Sequence, residues 1–328
     1  MASFRCVSSL LACFAALLAS SFAAPAPAAT VTGLYDAAQR VQNSQQDAAF
    51  LEALKTVVVR VSGQRDAVER LGGRLGNPRS YVQRFGMAAH DVLEVGFDSV
   101  SIDRLLTGAG LPIWGHERPA VLVLLSIEDV DGSTRWLGDD LPTLEREIVA
   151  NTAAQRGLPL KWPVMDEQDR AAASAGSAAA LMQAATRYGA NATLLGRAAD
   201  GTTRWTLVYG EGEAQGRGGL EDGVHLAADT FAHVFAVSGS SLDTVIVEVS
   251  GIADLHAYAN TLNYLEGMTL VRGVSLEQVS GETLRFRLAV RGDAATLQRA
   301  IALEDRLVPT QGAGQASGGG RLAFRYQR

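Results

Sequence analysis

Cysteine is almost absent from this chain of 328 residues. Its two cysteines, Cys6 and Cys13, both lie at the extreme N-terminus. If that segment is removed, no thiol remains, which excludes disulfide stabilisation, thiol catalysis and thiolate metal sites. Lysine is also rare, with Lys55 and Lys161 against 27 arginines. The arginines are scattered along the sequence, so a GC-rich genome explains their excess over lysine better than a dedicated anion-binding surface does.

Long apolar runs are missing as well, except at the N-terminus. Residues 7–18 form a nearly unbroken apolar run behind the basic Arg5. This run has the length of a signal-peptide h-region and is shorter than the ~20 residues that a membrane span needs. Small residues follow it, and Ser21-Phe22-Ala23 fits a cleavage site. The sequence therefore predicts a signal peptide over residues 1–23 and export to the periplasm, with no transmembrane span afterwards.

The exact processing of this segment has alternatives. Cleavage at a later alanine, up to Ala29, also fits the run of small residues and prolines. Leu10-Leu11-Ala12-Cys13 resembles a lipoprotein box, in which Cys13 would be lipidated. We favour the signal peptide because apolar residues continue beyond Cys13. A retained N-terminal anchor is the third alternative.

Excess charge of one sign is absent too. The formal net charge is −6, and charged residues make up 20% of the chain. There is consequently no overall positive field to hold nucleic acid or an anionic membrane. We expect no nucleic-acid partner.

The pattern of apolar residues predicts a multi-domain α/β (α+β) protein. We expect an N-terminal α/β domain over residues 30–115, a central α/β domain over 116–241 and a C-terminal domain over 242–328. The third has strands and helices in the order β-α-β-β-α-β, which predicts a ferredoxin-like sandwich. In the second, the continuous apolar run Val121–Ile127 is typical of a strand that is buried on both faces.

Several local predictions depend on turn residues. Asn77-Pro78-Arg79-Ser80 indicates the start of a helix that would carry Tyr81, Val82 and Phe85. The alanine-rich segment 171–187 predicts one continuous helix. The glycine-rich segment 210–219 predicts a loop. Asp131-Gly132 predicts a hairpin turn.

Complete catalytic, cofactor or metal motifs are also missing. His225, Asp229 and His233 are spaced four residues apart on a predicted helix, so they share one face and are the best candidate for a metal site. No further ligand is evident, and a solvated helix face is the favoured interpretation. We therefore expect no cofactor and no metal, and we assign no catalytic residue.

One segment supports a positive hypothesis. Trp114, Arg118 and Pro119 lie where the first two predicted domains meet. They predict either an inter-domain joint or a patch that binds a partner, since Trp and Arg are frequent interface anchors.

The same segment contributes to a family resemblance. The resemblance is carried by the export signal, Arg60-Val61-Ser62-Gly63, the stretch Gly110–Trp114 with Arg118-Pro119, and the apolar strand Val121–Leu125. On these segments the chain resembles an exported proteobacterial family known as the domain of unknown function DUF2066. The resemblance implies an uncharacterised exported protein and supplies no activity.

These observations predict a non-catalytic interaction or assembly module of the bacterial envelope, with another envelope protein as its partner. Two alternatives stay open: a periplasmic hydrolase whose catalytic residues are dispersed, and a protein that binds a small ligand or a metal. The sequence does not indicate an oligomeric state.

Overall fold

A computed structural model describes residues 29–41, 45–140, 142–210, 212–239, 242–304, 306–310 and 320–327. Over these ranges the chain is a multi-domain, mixed α/β protein, as the sequence predicts. None of the helices in these ranges is both long and apolar enough to cross a bilayer. The predicted signal peptide, with Cys6 and Cys13, lies outside the described residues. The domain boundaries stay predictions, and we refer to the three parts as the N-terminal, central and C-terminal units.

The N-terminal unit packs one long helix against a three-stranded antiparallel sheet of order β2-β4-β3. Its elements are β1 (Ala29–Thr30), β2 (Asp36–Arg40), α1 (Gln46–Ser62), α2 (Ala67–Leu71), β3 (Val82–Ala88), β4 (Val92–Phe97) and α3 (Ser99–Gly108). The side chains of α1 that face the sheet recur at helical spacing and are fully buried; they include Phe50, Leu54, Val57, Val58 and Val61. Gly63 ends α1 with a φ of +70°.

The helix predicted to begin at Asn77 is wrong. Pro78–Tyr81 form a single 3₁₀ turn, and β3 follows at once. The pairing of β3 with β4 supplies inter-strand hydrogen bonds that local propensity does not register, so tertiary context overrides the helix signal. The apolar residues of Val31–Tyr35 also predict a strand there, and this prediction is wrong, because Gly33 lies in a turn and β2 begins only at Asp36.

The central unit is a six-stranded sheet between two layers of helices. After the short connector strand β5 (Glu117–Arg118), its elements are β6 (Val121–Glu128), β7 (Thr134–Leu137), α4 (Leu144–Arg156), β8 (Leu160–Lys161), α5 (Glu167–Ala175), α6 (Ala178–Arg187), β9 (Ala192–Ala199), β10 (Thr202–Tyr209), β11 (Gly212–Gly218) and α7 (Leu220–Phe235). The main strand order is β11-β10-β9-β6-β7, and β8 also pairs with β6. Val123 packs in one core and Leu124 in the other, so β6 is buried on both faces.

Two predictions for this unit are wrong. The glycine-rich segment 210–219 is not a loop, because it contains β11, which pairs along its length with β10. Glycine is required there for space: a Cβ at Gly218 would collide with the carboxylate of Asp222. The segment 171–187 is two helices, because Gly176 takes a φ of +61° and ends α5. The predicted hairpin is confirmed: β6 and β7 pair antiparallel, and Gly132 has a φ of +80° between them.

The C-terminal unit is the predicted ferredoxin-like sandwich with one added edge strand. Its elements are β12 (Leu242–Ser250), α8 (Leu255–Gly267), β13 (Val271–Ser280), β14 (Thr283–Arg291), α9 (Ala294–Ile301), β15 (Leu307–Pro309) and β16 (Arg321–Tyr326). The strand order is β13-β14-β12-β16-β15, so the first strand of the motif lies between its third and its fourth. The composition of Gly312–Gly320 predicts a low-complexity loop, and all of that segment except Gly320 lies outside the described residues.

Candidate functional site

Arg118 is a fully buried arginine in the connector between the N-terminal and central units. Its exposed fraction is 0%. Its guanidinium donates five hydrogen bonds of 2.7–3.1 Å, all of them to backbone carbonyl oxygens. The acceptors belong to the connector, to the end of α1 and to the end of α4: Trp114, Gly115, Arg60, Arg156 and Gly157. One side chain therefore joins three separate segments of backbone.

No carboxylate among the described residues is hydrogen-bonded to Arg118. Burial lowers its pKa well below the usual arginine value, and the nearby guanidiniums of Arg60 and Arg156 lower it further. We call these three residues the arginine cluster. The negative charge that offsets it is partial, because the carbonyls at the ends of α1 and α4 form the negative ends of the helix dipoles. The arrangement is suited to holding two helix ends together.

The backbone at the end of α4 is shaped for this cluster. Gly157 takes a φ of +64° there. A Cβ on Gly157 would lie 2.7 Å from Nη1 of Arg118 and 2.9 Å from Cγ of Arg60. Glycine is therefore required at this position both for conformation and for space.

Trp114 packs against the same cluster. Its ring lies 3.9 Å from the guanidinium carbon of Arg118, and its backbone N–H donates to the Val61 carbonyl. Trp114 is fully buried, and Pro119 is buried next to Arg118. A partner could not reach these side chains without unfolding the connector. Burial thus favours the joint over the partner patch, and the role of the three residues stays a prediction.

The candidate metal ligands on α7 lie against arginines. Asp229 accepts from Nη2 of Arg156 at 2.7 Å and forms an ion pair with Arg65 at 3.1 Å. Arg156 can only donate, so its 3.0 Å contact makes Nδ1 of His225 an acceptor and fixes the neutral tautomer. Burial lowers the pKa of His225, and Arg156 and Arg65 lower it further. His233 lines a shallow hollow together with Asp229 and Arg65.

This arrangement does not suit a cation. Two guanidiniums occupy the oxygens of Asp229, and a metal would meet their repulsion. Among the described residues, no group of three or more potential ligands has a metal-binding geometry. The best sequence candidate is therefore a structural extension of the arginine cluster.

A groove of about 910 Å³ lies next to the cluster, between the N-terminal sheet and α4. Its floor crosses the sheet and includes β2, Gly96 of β4 and Gly86 of β3. Its far wall is the exposed face of α4, formed by Asn151, Ala154 and Gln155. Arg60 closes one side, where its Nη1 donates to the backbone carbonyl of Asp36 at 2.6 Å. The side chain of Asp36 in turn accepts from Arg84 at 2.7 Å.

Residues 28–115 match a family described as Domain of unknown function (DUF8605). This match overturns the resemblance to DUF2066, for which no match is found. The similarity to DUF8605 spans the N-terminal unit and ends at Gly115, before Arg118 and Pro119. No curated protein and no solved structure matches the chain.

The DUF8605 match thus contains Arg60 and one wall of the groove, while α4 and Arg156 lie outside it. The sequence alone does not identify Arg60 and Arg156 as a pair. A signal was present, since each precedes a glycine that ends a helix, in Arg60-Val61-Ser62-Gly63 and in Arg156-Gly157. Nothing in the sequence indicates that these two helix ends meet.

Proposed function

We propose that the protein is a non-catalytic interaction module of the bacterial envelope that binds an extended polypeptide segment of a partner protein in the groove between β2 and α4. The observation that carries the proposal is the open edge of β2. Within the described residues, β2 is paired only with β4, so its other edge has no strand partner, and residues of β2 line the groove. An unpaired edge offers main-chain donors and acceptors to an added strand.

The register shows which backbone groups are available. Phe97 N–H donates to Tyr35 C=O, and Val41 N–H donates to Asp91 C=O, so the odd-numbered residues of this segment bond to β4. Because the direction alternates along an antiparallel strand, the even-numbered residues point their N–H and C=O groups the other way. Arg60 confirms this alternation by reaching the carbonyl of Asp36. Ala38, which lines the groove, therefore presents its backbone groups to the unpaired edge of β2.

The face of α4 that lines the groove is suited to hydrogen-bonding the edge of the added strand that points away from β2. Asn151 and Gln155 are exposed and four residues apart, so their amides are spaced by about 6 Å along the helix. Equivalent residues along one edge of a strand repeat at about 6.6–6.8 Å. Ala154 lies between them in the sequence, and its small side chain leaves room for the added strand. Amide side chains both donate and accept, which is the chemistry that a peptide backbone requires.

The charges in the groove point to recognition of main chain. Arg84 is paired with Asp36, and Arg60 is occupied by backbone carbonyls. Glu94 is the remaining acidic residue of the lining, so two acids face two bases. A groove with balanced charge favours a neutral extended segment over a strongly charged one.

The decisive experiment places a proline on the open edge. Proline is tolerated where a strand's N–H faces away from the sheet, so Ala38→Pro should fold while losing the donor that meets the added strand. We expect it to weaken binding of a dodecamer selected from a random phage-displayed library by about tenfold or more. The measurement is fluorescence anisotropy with the labelled dodecamer.

Met87→Pro is the matched control. The same alternation places the Met87 N–H on the outer edge of β3, at the opposite edge of the sheet from β2. This variant should bind the dodecamer like wild type. Equal binding by all three proteins, selection of no peptide, or selection of a small ligand that ignores Ala38→Pro would contradict the proposal.

The location in the envelope rests on the N-terminal sequence. We expect the protein expressed in a Gram-negative host to appear in the periplasmic fraction with a mass that corresponds to loss of residues 1–23. Intact-mass spectrometry of that fraction measures this directly. An unprocessed protein in the cytoplasm would contradict it, and a lipid-modified mass would support the lipoprotein alternative at Cys13.

A further inference from the structure

Three arginines stand side by side on the central sheet, far from the groove in sequence. Arg204 on β10 lies directly opposite Arg197 on β9 and directly opposite Arg217 on β11. Directly paired residues point to the same face of a sheet, and their Cβ atoms are about 4.5–5.5 Å apart. All three side chains are exposed. We call this set the arginine row.

The arginine row has no internal counter-charge. Within the described ranges none of its members forms an ion pair, and Nη2 of Arg197 donates to the backbone carbonyl of Ala173 at 2.6 Å. Glu213 lies further along β11 and accepts from the amide of Gln215 instead. Like charges directly opposite each other destabilise a sheet. Three in a row are therefore a cost that a bound anion would offset.

The row also borders a hollow of about 540 Å³. Next to the arginines on the same face lie Thr206 and Gln215, which are paired across β10 and β11 and line the hollow. Their hydroxyl and amide groups add neutral hydrogen-bond donors. The floor is apolar, because Leu195 is 2% exposed. The hollow thus combines positive charge with polar groups on a rigid sheet.

We propose that the arginine row binds a ligand that carries several phosphate groups. A guanidinium presents a planar fork of donors that matches the oxygens of phosphate and holds its charge at all relevant pH values. Two strand spacings separate the outer arginines, a distance of about 10 Å. A single phosphate does not reach all three, whereas neighbouring phosphates do. This site is independent of the peptide groove and is tested separately.

Arg204→Glu is the sharpest variant. It removes the central charge and replaces it with an acid that can pair with Arg197 and Arg217, so the fold should be at least as stable as wild type. We expect calorimetric titration with inorganic tripolyphosphate to show binding to wild type and a loss of about tenfold or more in Arg204→Glu. The affinity of wild type should fall as salt rises from low ionic strength to 0.15 M.

Arg325→Glu is the matched control, because Arg325 is also exposed on a strand, lacks an ion pair in the described residues and changes the net charge equally. It should bind tripolyphosphate like wild type. An equal loss in both variants would overturn the proposal, as would wild-type binding by Arg204→Glu or no binding at all.

A sedimentation experiment with lipid vesicles identifies the source of the phosphates. Vesicles of phosphatidylglycerol and phosphatidylcholine are sedimented with wild type, Arg204→Glu and Arg325→Glu. Co-sedimentation lost only in Arg204→Glu supports the proposal with a lipid headgroup as the source. Tripolyphosphate binding without co-sedimentation supports it with a soluble condensed phosphate.

Discussion

At the scale of single residues, the arginine cluster donates mainly to backbone. Arg118 donates only to carbonyls, Arg60 likewise, and Arg156 reaches the carbonyl of Gly63 as well as Asp229. A planar guanidinium can serve several carbonyls from one buried position, which an ammonium cannot. Counting arginines in the sequence does not reveal this, because the acceptors are main-chain atoms of distant segments.

The surroundings of His225 predict a pH-dependent stability. Its pKa is lowered by burial, Arg156 and Arg65, and raised by Asp229 and Asp222. The folded state therefore binds this proton less readily than the unfolded state does, whose histidine pKa is about 6.5. The stabilisation that depends on neutral His225 is therefore complete above about pH 6.5, and it declines as the pH falls below that value.

His225→Gln checks this expectation. The variant keeps a hydrogen-bonding side chain and cannot titrate. We expect the free energy of unfolding of wild type to decrease more than that of His225→Gln between pH 7.5 and pH 5, measured by urea denaturation at each pH. Parallel curves for the two proteins would show that His225 does not carry the dependence.

At the scale of helices and strands, the sequence predicts best where burial is periodic. The continuous apolar run of β6 and the order of elements in the C-terminal unit are both confirmed. In each case the apolar spacing matches the geometry of the element, so local sequence and tertiary packing agree.

The errors occur where a strand lacks an apolar pattern. β3 is exposed along most of its length, and β11 contains three glycines among seven residues. Neither has the alternation that marks a strand, and both are held by backbone pairing with an adjacent strand. The same limit hides both proposed sites. The groove and the arginine row depend on which strands are neighbours and on their register. Neither property can be read from the sequence of a single strand.

At the scale of the whole molecule, the connector 111–120 determines how the N-terminal and central units are attached. The connector backbone is hydrogen-bonded to α1 through Trp114. It is also hydrogen-bonded through Ile113 to Val237, which follows the end of α7. Arg118 adds the end of α4. The walls of the peptide groove come from both units, so the width of the groove depends on this attachment.

Arg118→Met tests whether the attachment stabilises the fold. The substitution removes five charge-assisted hydrogen bonds, each worth about 1.5–3 kcal/mol. It also removes the desolvation cost of one buried cation, which is several kcal/mol in real proteins. The bonds outweigh that cost, and the carbonyls left behind at the ends of α1 and α4 are themselves destabilising. We expect a loss of at least about 3 kcal/mol in the free energy of unfolding, measured by urea denaturation with tryptophan fluorescence.

Two further variants separate a joint from a general effect of lost charge. Arg118→Lys keeps the cation and offers three donors without the planar fork, so it should lie between wild type and Arg118→Met. Arg104→Met changes an exposed arginine of α3 and should remain within about 0.5 kcal/mol of wild type. Dodecamer binding in the groove should weaken in the order of the stability loss at Arg118, because the α4 wall shifts away from β2 as the attachment loosens. If Arg118→Met kept its stability while losing binding, Arg118 would contact the partner and the joint would be wrong.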